Sequence, residues 1–202
     1  MLGIFLDTET NGLNININRI IEIAFKIIDL NYEKLIDQFT SKIFQPIEVW
    51  DKSNPISLQV NGFHWEDIKN EKKEQEIKDE IIHSFTKNRI TKKNAVFICQ
   101  NPSFDRVFLS QIIPPDIQEA LNWPYHWLDL ASMFWAISIK EAKTEKKKKT
   151  LPWDTGLSKD QIAARYNIVR EVKPHRAMNG VNHLIECYKA LVGFPDMKKN
   201  KA

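Results

Sequence analysis

The chain has 202 residues, 43% hydrophobic and 27% charged, which suits one domain with a substantial core and excludes a disordered chain. A formal net charge of +3 and a pI near 8.7 are too mild to imply nucleic acid by themselves. No uncharged apolar stretch is long enough to cross a bilayer, and the first apolar run has no basic lead-in. A membrane anchor and a signal peptide are therefore not expected, and two cysteines in apolar segments, read as thiols and not a disulfide, suit a cytoplasmic location.

In chain order, residues 2–7 predict a buried central strand. Ile21, Ile23, Phe25 and Ile27 mark a second strand by their alternation, and residues 34–44 a third. Asn31-Tyr32 suits a hairpin turn between the last two. A short helix is expected at 55–61 and a polar, charge-rich one over 65–85, carrying Trp65, Ile68, Ile77, Ile81 and Ile82. Residues 95–99 form a short apolar run, a buried strand. A helix with Phe104, Val107, Phe108 and Ile112 follows and ends at Pro114-Pro115. Trp127-Leu128 predict a fifth strand, and Asp129 a cap for a helix to about residue 139. Residues 141–157 read as a lysine-rich loop. Ser158 caps a helix through Tyr166, and a last helix runs over 176–192 until Gly193 and Pro195 stop it. Three antiparallel strands, then strands alternating with helices, predict an α/β layer fold. Residues 1–195 are expected to form one domain, with a basic tail at 196–202. Cys99 and Cys187 lie in apolar segments and are expected to be buried thiols.

Asp7 and Glu9 end the first strand. Residues i and i+2 share a face, so two carboxylates are crowded together and need a cation or a shared proton. A divalent metal is the usual answer, a solvated strand end the plain one. Asp105 follows the strand at 95–99, where a helix's first turn lies beside a neighbouring strand's carboxyl end. It could face Asp7, or simply favour its own helix dipole. His175 sits in a loop before the last helix, either as a general base or as a surface or capping residue. The runs Lys146-Lys147-Lys148-Lys149 and Lys198-Lys199-Asn200-Lys201 are either solvated or ready to track a phosphate backbone.

Several motifs occur together and in order. They are Asp-Thr-Glu-Thr-Asn-Gly-Leu at 7–13, Ile-Ile-Glu-Ile-Ala at 20–24 and Asn-Pro-Ser-Phe-Asp-Arg-Val-Phe-Leu at 101–109. Arg165-Tyr166 and His175-Arg176-Ala177 complete the set. With them the chain resembles the DEDDh branch of the 3′–5′ exonucleases, which includes RNase T and DNA-polymerase proofreading subunits. The resemblance implies a ribonuclease H-like fold, a mixed five-stranded sheet of an antiparallel meander then parallel strands, flanked by helices. It implies hydrolysis of single-stranded DNA or RNA from the 3′ end, with nucleoside monophosphates released. Two Mg²⁺ or Mn²⁺ ions about 3.5–4 Å apart would clamp the phosphodiester. By the same resemblance Asp7 bridges both ions, Glu9 holds the one carrying the attacking water, Asp105 supports the second, and His175 takes the proton. Leu13 matches a wedge between bases, Phe63 a residue facing the terminal base, and Thr8, Thr10 and Asn101 further substrate contacts.

The pattern breaks at one place. Family members carry an aspartate five residues after the histidine, and here that residue is Gly180. Asn179 and Asn182 are neutral and no equal substitutes. Gln100 is a smaller departure, standing where many relatives have histidine. Loss of a ligand beside the water-carrying ion predicts weakened hydrolysis. The other reading is a catalytically impaired module that holds nucleic-acid ends or docks on a DNA polymerase.

Overall fold

The computed structural model describes residues 1–144 and 151–195. The lysine run at 146–149 and the tail at 196–202 fall outside them. Five strands form one sheet: β1 (Leu2–Thr10), β2 (Ile20–Asp29), β3 (Lys34–Lys42), β4 (Ala95–Cys99) and β5 (Trp127–Asp129), in the order β3-β2-β1-β4-β5. β1–β2 and β2–β3 are antiparallel, while β1–β4 and β4–β5 are parallel. This is the mixed sheet expected. Its apolar β1 lies at the centre, paired on both edges.

Helices cover both faces: α1 (Ile47–Trp50), α2 (Pro55–Asn61), α3 (Glu74–Lys87), α4 (Pro102–Ile112), α5 (Pro115–Ala120), α6 (Leu130–Thr144), α7 (Pro152–Thr155), α8 (Lys159–Arg165) and α9 (Ala177–Leu191). The alternation along β1 divides the core in two. Ile4 and Leu6 pack with Ile77, Ile81 and Phe85 of α3 and Phe108 of α4. Phe5 faces the other way, against Leu130 and Phe134 of α6, Ile162 of α8 and Leu184 and Tyr188 of α9. Among the described residues no helix is long and apolar enough to cross a membrane. Cys99 and Cys187 are buried free thiols.

Local chemistry sets the helix ends. Pro55 opens α2 behind Asn54, whose side chain accepts from the N–H groups of Ile56 and Ser57. Ser158 caps α8, accepting from the N–H of Gln161, whose own side chain accepts from the N–H of Ser158.

The elements differ from expectation in four places. The helix expected over 65–85 is broken into a 3-10 turn, Trp65–Asp67, and α3. Between them the Lys72 carbonyl is taken by the N–H of Phe44 at 2.8 Å, and Ile68 packs in a separate cluster with Ile21 and Phe63. Pro114-Pro115 ends α4 but also starts α5, because proline suits a helix's first turn. β1 continues past Asp7 to Thr10, still paired with β2. Within 141–157, α6 reaches Thr144 and α7 forms a further turn.

Candidate active site

Asp7 and Glu9 lie on the α9 face of β1, with Phe5. Thr8 points to the α4 side, where its hydroxyl donates to Asp105 Oδ1 at 2.8 Å. Asp105 stands in the first turn of α4, just beyond the end of β4. Asp7 and Glu9 at the end of β1 and Asp105 just beyond the end of β4 thus lie at the carboxyl ends of two adjacent parallel strands, the first two on the α9 face and Asp105 held by Thr8 from the α4 side.

All three acids are raised, and the Asp7 charge acts on both of the others. Burial, opposed in part by Lys159, lifts the Asp7 carboxyl to about 6. Burial and then the Asp7 charge push Glu9 up to about 8. Asp105 is 4% exposed, and burial followed by the Asp7 charge raises it well above the carboxylate range. Glu22 on β2 is paired across from Glu9, raised by burial and held down by the N–H of Ala177, which donates to its Oε2 at 2.7 Å.

His175 reaches the cluster indirectly. Its Nδ1 lies 4.0 Å from Oε1 of Glu171, whose side chain is 3% exposed. Its backbone N–H donates to Val60 O at 3.2 Å, and the next residue, Arg176, donates from its guanidinium to Asn61 O. Asn61 in turn donates to Thr10 O at 3.0 Å, so the histidine loop is strapped to the end of β1 through α2. A cleft of about 820 Å³ opens here, lined by Gln59, Val60, Asp160, Lys173, Pro174 and His175.

The residues singled out for substrate fall into two groups. Leu13 is 71% exposed on the loop after β1. Asn101 is also exposed, its backbone left-handed at φ 56° and its N–H donating to Asp129. Thr8 and Thr10 are buried: the one holds Asp105, the other donates to Gly12 O at 2.7 Å and shapes the loop. Phe63 is packed in a small cluster with Ile21 and Ile68, its ring covered by the Arg176 guanidinium at 4.1 Å.

Gly180 is buried in α9 directly over Asp7. A Cβ built there falls 2.2 Å from Asp7 Oδ2 and 2.6 Å from its Cγ. Asp7 is therefore turned toward α9, into the room that a side chain at 180 would need. Close approach, not backbone freedom, is what glycine provides at this helical position. Among the described residues, no three His, Cys, Asp or Glu side chains are disposed to hold a metal ion as they stand.

The RNase T exonuclease family matches residues 4–188, nearly the whole chain. The chain belongs to this exonuclease family. No curated protein matches its sequence. Among solved structures, Escherichia coli Exonuclease I in complex with a dT13 oligonucleotide superposes with a TM-score of 0.71 at 16% identity, covering 94% of this chain and 41% of that one. The zinc-bound form of the E. coli Exonuclease I complex with single-stranded DNA gives 0.71 at 15% identity, over 99% and 41%. Exonuclease I from Methylocaldum szegediense gives 0.71 at 16%, over 94% and 40%. At such identities the likeness is one of fold, the ribonuclease H-like one. The chain spans about two fifths of the length of these structures.

Two residues at the heart of the site carry no motif that marks them in the sequence. Lys159, in the first turn of α8, reaches Glu171 Oε2 at 2.8 Å, Gly180 O at 3.2 Å and Asp7 Oδ1 at 3.5 Å. Burial alone would depress this amine, but Asp7 and Glu171 outweigh it and push it up to about 12. Glu171 is the second, in a loop between α8 and α9. One signal for Lys159 was available: a lysine in a helix's first turn opposes the dipole and needs an anionic partner. Glu171 gave none.

Proposed function

We propose that the chain is a metal-dependent 3′–5′ exonuclease that shortens single-stranded nucleic acid, DNA above all. What supports this reading is that Asp7 and Glu9 end β1 and Asp105 follows the end of β4 in an RNase T-family domain, with the Asp7 charge acting on both of the other acids. The oligonucleotides held by Exonuclease I support single-stranded DNA as the substrate. Hydrolysis is expected to be slow, because Gly180 supplies no carboxylate.

The donor chemistry fits a divalent cation. Mg²⁺ and Mn²⁺ prefer carboxylate oxygens, and acids with raised proton affinity exchange their protons for such an ion. Asp7, Glu9 and Asp105 would hold it. Bound there, it supplies Lewis-acid polarisation of the scissile phosphate. The chain's own groups do the rest. Leu13 wedges between terminal bases, on a loop whose path Thr10 fixes. Thr8 orients Asp105, and Asn101 lines the strand's approach at the end of β4. Nδ1 of His175 faces Glu171, which leaves Nε2 to take the proton of the attacking water. The water oxygen bonds to phosphorus as the bond to the preceding 3′ oxygen breaks. A nucleoside 5′-monophosphate leaves, and the shortened strand ends in a hydroxyl.

The test is a 5′-labelled strand of DNA or RNA incubated with Mn²⁺ or Mg²⁺. A slow ladder from the 3′ end is expected, absent in Asp7→Asn. Gly180→Asp should quicken it by up to about a hundredfold, the scale set by misplacing a catalytic group by ~1 Å. A strand that stays full length in every form rejects the enzyme. The second reading, a module that holds ends without cutting, is favoured by Asp7 lying in the space of the missing side chain. It predicts oligonucleotide retention by the unmodified chain and a ladder only in Gly180→Asp.

A further inference from the structure

By the family resemblance Asp7 would contact both divalent ions, and the aspartate that this chain lacks would help hold the one that Glu9 also holds. Here Asp7, beneath Gly180, already carries a cation. The Lys159 ammonium contacts Asp7 Oδ1 at 3.5 Å, the Gly180 carbonyl at 3.2 Å and Glu171 Oε2 at 2.8 Å. Three oxygens around an ammonium use its three donors. The Lys159 side chain is 12% exposed and that of Glu171 is 3% exposed, so the charges are withdrawn from water and held by each other.

The glycine and the lysine belong to one arrangement. A side chain at 180 would collide with Asp7 where it now stands, in the position from which Asp7 meets Lys159. Glu171 meanwhile contributes a carboxylate from a loop instead of from α9, and its Oε1 is buried with no hydrogen-bond partner among the described residues. Relative to the family pattern, the helix lacks an acid, the loop supplies one, and a lysine links it to Asp7.

We infer that the Lys159 ammonium is a resident cation on Asp7, standing in for one of the two divalent ions, so that the chain binds a single Mn²⁺ or Mg²⁺. Lys159 is then a positioning residue acting through Asp7. The inference rests on the exonuclease reading of the site. Lysine's charge is fixed to the chain, so this half of the site does not empty at low metal concentration.

The experiment counts Mn²⁺ ions bound per full-length chain, by calorimetric titration and by the loss of the free-ion paramagnetic resonance signal. One ion is expected for the unmodified chain and for Lys159→Arg, and two for Lys159→Met, in which Asp7 and Glu171 lose their cation. Two ions on the unmodified chain, or one on a folded Lys159→Met, overturns the inference. If Lys159→Met does not fold, as judged by circular dichroism, the count on the unmodified chain decides alone. Two ions with a 3′ ladder would reject the lysine's role and leave the exonuclease standing. No ion on any form, with no ladder, would reject both.

Discussion

Glu22 of β2 accepts the first backbone N–H of α9, that of Ala177, at 2.7 Å. This one bond fixes the end of the helix that carries Gly180 over Asp7. Glu22→Ala leaves that N–H buried without a partner, at a cost of about 1–3 kcal/mol. Urea denaturation should show a loss of that size, with weaker Mn²⁺ binding. Glu22→Gln keeps an acceptor and should stay close to the unmodified chain in stability.

Gly180→Ala separates the space at 180 from the missing ligand. Alanine improves the helix by up to about 1 kcal/mol, but adds a Cβ 2.2 Å from Asp7 Oδ2. Asp7 must swing away, and no carboxylate is gained. Turnover of a labelled oligonucleotide should not rise, in contrast to Gly180→Asp. An equal rise in both variants would mean that freeing Asp7, not restoring a ligand, limits the reaction.

Stability of the metal-free protein should fall as pH rises. Glu9 is raised from 4.5 to about 8 and Asp7 from 3.8 to about 6, so the folded state holds protons that the unfolded chain releases. Raised carboxyls favour the fold most below about pH 4, and that contribution is lost as pH climbs to about 8. Thermal melts in chelator should drop across this window. Added Mg²⁺ should flatten the trend by replacing the protons, and Glu9→Gln should remove its upper part.

Leu13 and Phe63 should answer differently. Leu13 is exposed, so Leu13→Ala should leave the melting temperature unchanged and raise KM for single-stranded DNA several-fold. Phe63 is buried beneath Arg176. Phe63→Ala should therefore cost about 3–5 kcal/mol in stability. A Phe63→Leu form that folds well but loses DNA affinity would restore a direct role for the ring.

The fold was legible because its signals are local. Alternation marked β2, a bounded apolar run marked β4, and Ser158 marked the start of α8. The same period of two placed Asp7 and Glu9 on one face. What failed depended on distant partners. The helix expected over 65–85 broke because Phe44, far back in the chain, claims the Lys72 carbonyl. Lys159 and Glu171 fall in no motif of the sequence; they are buried because α8 and the following loop close over α9. Thr8 reads as a substrate contact, but the packing of α4 against β1 buries its hydroxyl and gives it an aspartate to hold.

Consecutive residues of β1 serve opposite layers, Asp7 toward α9 and Thr8 toward α4. The chemistry is therefore bound to a reading frame. A single residue inserted between Phe5 and Asp7 would exchange the two layers' contents, sending the acids to the α4 side and threonine under the helix, even if the sheet still formed. The loop at 11–18 has no such phase to keep, and length changes there would leave Asp7 and Glu9 in step with α9.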